Sequence, residues 1–115
     1  MNGWIGVDLD GTLAHYEGWR GETHIGAPIS VMVERVQRWL GDGYEVRIFT
    51  ARVSDPDQAA AATEAIKAWC LDHIGVALPI TCRKDYAMIE LWDDRAVQVV
   101  TNTGERVGKS TLGLD

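Results

Sequence analysis

Cysteine is scarce in this chain of 115 residues, and the two present, Cys70 and Cys82, form no CxxC pair and have no His/Cys cluster beside them. That spacing argues against a zinc site and predicts two buried free thiols. His15, His24 and His73 are not spaced as a metal set either. Long apolar runs are missing: nothing approaches the roughly 20 residues of a membrane-spanning helix. The opening MNGWIGVDLD has neither a basic start nor a cleavage site. The chain therefore reads as soluble and cytoplasmic, with no membrane association. A basic excess is missing too. With 11 basic against 17 acidic side chains the formal charge is −6, which disfavours broad electrostatic binding to a phosphate backbone and leaves room only for a small cationic pocket. There is no Pro/Ser/Gln-rich segment, charge block, linker or repeat, so residues 1–115 read as a single domain.

What is present is a globular composition, 46% hydrophobic with five tryptophans. WIGVDL at 4–9 is short, β-prone and bounded by Gly and Asp, as expected of a strand buried on both faces. Ile29, Met32, Val33, Val36 and Leu40 recur at helical spacing until Gly41 and Gly43. YEVRIFT at 44–50 reads as a second strand. In SDPDQ, Asp55 is placed to cap a helix with Pro56 at its first position and Gln58 closing a capping box. That helix should run to about Asp72, with Ile66, Trp69, Cys70 and Ile74 inward and Gly75 after it. Leu78–Cys82, Ile89–Trp92 and Ala96–Val100 are further short strands, and a turn at Asn102–Gly104 would return Glu105–Val107 as an edge strand. Alternating strands and helices predict an α/β fold with a mainly parallel sheet and right-handed crossovers. Between the first strand and the first helix, residues 14–28 form an aperiodic excursion with three glycines and a proline. An excursion of that length in so small a domain is usually functional.

Ligands of such sheets sit beyond the carboxyl ends of the strands. Asp8, Thr50 and Asp93 each close a predicted strand, so they should meet at one rim. Asp8 and Asp10 in GVDLDGTL form one acidic pair, and Asp93 and Asp94 in ELWDD form another. Carboxylates brought so close repel unless a cation or a shared proton intervenes. Magnesium suits such a site, because it takes oxygen ligands from one or two carboxylates and fills its shell with water and substrate phosphate. A turn at DxD and a cap at DD would account for each pair singly, but not for both converging.

These residues carry a resemblance. DLDGTL is similar to motif I of the haloacid dehalogenase (HAD) superfamily of phosphohydrolases, IFT at 48–50 resembles motif II, Lys84 lies where the motif III lysine belongs, and ELWDDR resembles motif IV. The resemblance runs from Trp4 to about Val100 and implies a Rossmann-like three-layer fold with a minimal cap. It implies Asp8 as nucleophile and Asp10 as general acid/base. The transferring phosphoryl would be met by the Thr50 hydroxyl, the Lys84 ammonium, and the amides of Leu9, Asp10, Gly11 and Thr12. It also implies a magnesium ion held by Asp8, the backbone carbonyl of Asp10, and Asp94, with Asp93 close behind.

Ala51 and Arg52, which follow motif II in FTAR, are candidate substrate contacts, as are Trp19 and Arg20 in the excursion. The phosphatase half of polynucleotide kinase/phosphatases is similar here, with arginines after motifs I and II and a DDR-type motif IV. This chain lacks the long segment that family carries before motif IV. The expected function is magnesium-dependent hydrolysis of a phosphomonoester. The alternatives are a nucleic-acid 3′-end phosphatase and a catalytically silent binding module. Partners are then a phosphorylated small molecule or nucleic-acid end, with a homo-oligomer as one way to cover an open site. GERVGKST at 104–111 is one residue short of a Walker A loop and reads as a solvated tail.

Overall fold

A computed structural model describes residues 2–110 and 112–114 of the protein; Thr111, at the end of GERVGKST, lies outside the described residues. The elements run β1 (Trp4–Asp8), α1 (Ser30–Gly41), β2 (Glu45–Phe49), α2 (Pro56–His73), β3 (Ile80–Thr81), β4 (Met88–Trp92), β5 (Gln98–Val99) and β6 (Arg106–Val107), with a 3-10 turn at Ala51–Val53. Four strands form a parallel sheet in the order β3-β2-β1-β4. The chain builds outward from β1 through β2 to β3 and then returns to the other side of β1. The order of the strands thus reverses between β1 and β4.

Side chains alternate along a strand, and one face of the sheet collects Ile5 and Val7 of β1 with Val46 and Ile48 of β2. Met32, Val33 and Val36 of α1 and Ile66, Trp69 and Cys70 of α2 close over them in one core. Each such side chain taken out of water stabilises the fold by about 1.5–3 kcal/mol before chain entropy is counted. The other face carries Trp4 and Arg47. Trp4 Nε1 donates to Asp85 Oδ1 at 2.8 Å, and the Arg47 guanidinium lies 4.6 Å over the Trp4 ring. The irregular segment 82–87 is therefore strapped across this face, and the layers are helices, sheet and strap. This is the expected Rossmann-like three-layer α/β class.

Several local expectations change. Cys82 is exposed rather than buried, because it lies on the strap; Cys70 is buried, and both thiols are free. Asp55 caps α2 by accepting from the Asp57 amide at 3.0 Å, but the box is not closed. Gln58 instead donates to Glu22 Oε1 at 2.6 Å in the amide orientation that suits both groups. β5 and β6 pair antiparallel as a hairpin of their own, outside the main sheet. No helix among the described residues is long and apolar enough to cross a membrane.

The 14–28 excursion is a built flap. Its base is closed by His15 N–H to Ala27 O and Ile29 N–H to Leu13 O, both at 2.8 Å, and Trp69 Nε1 reaches up from α2 to Gly26 O at 2.9 Å. Gly26 passes so close to the facing chain that an added Cβ would lie 2.1 Å from His15 O, a clash no side-chain shift relieves.

Candidate functional site

The site is built where β1 ends. Asp8 is the last residue of the strand; Leu9, fully buried, drives into the core and makes the chain turn. The Leu13 and Ala14 amides both donate to Leu9 O, at 3.0 and 2.8 Å. This turn consumes amides expected to face a ligand: Gly11 N–H goes to Ala14 O at 2.8 Å and Thr12 N–H to Leu9 O at 3.4 Å. Gly11 has φ +90°, and a Cβ on it would lie 2.4 Å from Asp94 Oδ2. The glycine of DLDGT thus does two things. It permits the turn, and it leaves the gap into which Asp94 settles.

Asp93 and Asp94 follow directly on β4, the neighbour of β1 across the reversal of strand order. Carboxylate oxygens of Asp8, Asp93 and Asp94 all lie within 4.8 Å of one another. The Thr12 hydroxyl fastens the arrangement: it accepts from Asp94 N–H at 3.0 Å and donates to Asp94 Oδ1 at 3.1 Å, with Asp8 Oδ2 at 3.5 Å. Asp93 Oδ1 accepts from the Arg95 amide at 2.8 Å, so its carboxylate is also oriented. The electrostatic result falls on Asp8. Burial, then a hydrogen bond with Asp94, then the charges of Asp93, Asp94 and Asp10 push its pKa from 3.8 up to about 8. The crowded carboxylates thus disfavour a bare charge on Asp8.

These residues fit a hard divalent cation. Three oxygen donors converge, a hydroxyl and an amide fix two of them, and the glycine cradle would be filled by any other residue. Asp8, Asp93 and Asp94 would hold the ion. The Asp10 carboxylate lines the same cleft but is not part of this cluster, because it is held by Arg52. Both its oxygens accept from Arg52, Oδ2 from Nε at 2.7 Å and Oδ1 from Nη2 at 2.8 Å.

Thr50 is buried at the end of β2 and its amide bonds to Thr81 O at 2.9 Å. Its hydroxyl oxygen accepts from Arg52 N–H at 3.1 Å, starting the 3-10 turn. That leaves the hydroxyl proton for a ligand. Thr50, Ala51 and Arg52 share one open cleft of about 640 Å³ with Asp8, Asp93 and Asp94. The three strand ends therefore meet as expected.

Other candidates are divided. Trp19 stands on the wall of this cleft, 57% exposed, with its ring 4.8 Å from the Arg52 guanidinium. Arg20 lines a smaller pocket of about 380 Å³ beyond Arg52, under the flap with His15 and His24. Lys84 is not brought in. It lies exposed on the strap, outside the cleft lining, with no hydrogen bond or ion pair among the described residues. The cause is next door: Asp85 is drawn toward Trp4 and Arg47, and the strap follows it away from the rim. Besides Arg52, which is paired with Asp10, the cation lining the cleft is Arg95. Its place directly after the acidic pair, in ELWDDR, was the signal available in the sequence. The Thr12 hydroxyl had no such signal, since its partner is 82 positions away.

No family model matches the chain, and no curated protein does. Among solved structures, the chain is similar to a conserved protein coded by a locus of Bacteroides thetaiotaomicron, at 22% identity and a TM-score of 0.61, over 84% of this chain and 78% of that one. At that identity the likeness shows the fold, and it is the fold of the parallel sheet and helices described above.

Proposed function

We propose that the chain is a magnesium-dependent phosphomonoester hydrolase of the haloacid dehalogenase type. One observation carries the reading: a nucleophile-competent carboxylate, Asp8, converges with Asp93 and Asp94 at the carboxyl edge of the sheet, beside a buried hydroxyl with a free proton. Three acidic groups in so small a volume are costly without a cation, and a silent scaffold has no use for them. A bound magnesium ion would supply positive charge against the phosphoryl oxygens and keep the carboxylates ionised.

In the reaction, an Asp8 oxygen attacks phosphorus while the bond to the ester oxygen breaks, leaving an aspartyl phosphate and an alkoxide. Asp10 must enter this step protonated; it gives that proton to the alkoxide and afterwards recovers one from the water that hydrolyses the aspartyl phosphate. Thr50 Oγ–H and Arg95 are the chain's own donors to the phosphoryl oxygens. Lys84 joins them only if the strap moves. Trp19, an exposed aromatic fixed on the cleft wall, favours a second reading within the same chemistry, a phosphorylated nucleic-acid end with a base stacked on the indole.

The test is hydrolysis of a panel of sugar phosphates, nucleotides and 3′-phosphorylated oligonucleotides, with magnesium and with chelator. Turnover should need magnesium and vanish in Asp8→Asn, which keeps shape but not nucleophilicity. Wild-type rates in Asp8→Asn would sink the covalent mechanism.

A further inference from the structure

We propose that Arg52 is a positioning residue that couples the flap to Asp10, rather than a substrate-binding arginine; the catalytic part of this inference rests on the phosphohydrolase reading. Arg52 is nearly buried, 9% exposed, and a guanidinium has five N–H donors. Four interactions already occupy it. Nε and Nη2 grip both oxygens of Asp10, and Nη1 donates to the flap carbonyls of Glu22 at 3.1 Å and Gly21 at 3.4 Å. The Trp19 ring covers it at 4.8 Å. Little remains to offer a ligand.

The same side chain therefore joins the candidate acid/base to three residues of the flap. A paired, two-point grip fixes the plane of the carboxylate as a single ion pair would not. The clasp is in turn set by its surroundings: the Arg52 amide caps onto Thr50, and Gln58 holds Glu22 from the other side. A substrate that shifts Trp19 moves the guanidinium, and with it the Asp10 carboxylate. Flap contacts would thus be expressed in the proton-transfer step as well as in binding.

Leaving-group dependence separates this role from plain binding. An alkyl alkoxide needs its proton as the ester bond breaks, whereas p-nitrophenolate leaves without one. Arg52→Lys keeps the charge but loses the two-point grip and the stack. Its kcat/KM for ethyl phosphate should fall about a hundredfold, within the usual worth of a general acid, and that for p-nitrophenyl phosphate by about threefold. Asp10→Asn probes the clasp from its other end and guards against a misfolded arginine variant. In both variants the Trp19 indole N–H resonance, assigned by Trp19→Phe, should shift to a common new position. Arg52→Lys in the Asp10→Asn background should then cost little more. Equal losses on the two esters would overturn the positioning role, and an unmoved Trp19 resonance in Asp10→Asn would overturn the coupling. If wild-type protein hydrolyses neither ester, the phosphohydrolase reading fails, and the resonance alone decides the coupling.

Discussion

Asp8→Asn should make the metal-free protein less sensitive to alkaline pH. In the folded state the Asp8 pKa stands at about 8 against 3.8 for a free side chain, chiefly through burial and the hydrogen bond with Asp94. The folded protein then binds the proton that the unfolded chain releases between those values. The group's contribution to stability is full below about pH 4 and is lost as pH rises through about 8. Across the whole window the gross effect is roughly 6 kcal/mol, of which about 3 kcal/mol falls between pH 6 and pH 9. The cluster is partly open to solvent, and screening reduces that share to about 1 kcal/mol. For a domain of this size the corresponding fall in Tm is about 5 °C. Thermal melts in chelator at pH 6 and pH 9 measure it, with Asp8→Asn as the reference that subtracts every other titrating group. Magnesium should reverse the trend, since it binds the ionised carboxylates and its stabilisation grows over the same window. Parallel pH dependences for wild type and Asp8→Asn would refute the account of the cluster.

Two substitutions test how the acidic site is held. Gly11→Ala puts a Cβ into the gap that Asp94 occupies, on backbone at φ +90°. It should cost about 1–3 kcal/mol of stability and abolish the magnesium-induced rise in Tm. Thr12→Val keeps the volume but removes both hydrogen bonds to Asp94, so magnesium affinity by calorimetry should drop about tenfold or more while the metal-free melt changes little.

The regular elements were legible because each is announced locally. Met32, Val33 and Val36 recur at helical spacing and are buried together, and Asp55-Pro56 starts α2 where the residue types place it. The convergence of Asp8, Thr50 and Asp93 was legible one level up, because parallel strands present their carboxyl ends on one side. What the sequence hid depends on contacts without local pattern. Gln58 fits a capping box by spacing, yet Glu22 of the flap offers it a charged acceptor. Arg52 reads in FTAR as a substrate contact, and only the folded flap and Asp10 absorb its donors. Lys84 sits where the resemblance expects a lysine, but its neighbour Asp85 is held by the indole N–H of Trp4, at the start of β1 and away from the rim.

The end of β4 brings two of the three clustered acidic groups, and it arrives late. Thr12 and Asp94, whose contact ties the two parts of the site, are 82 positions apart. During synthesis, β1, β2 and β3 with both helices are complete before residue 88 is made, so the flank of β1 that will receive β4 stands open meanwhile. An open strand flank is a template for pairing with another chain. Contacts of such long sequence separation also form slowly. A chain that has formed β1–β3 without β4 is thus the species most exposed to self-association, and the three acidic groups converge only when that exposure ends.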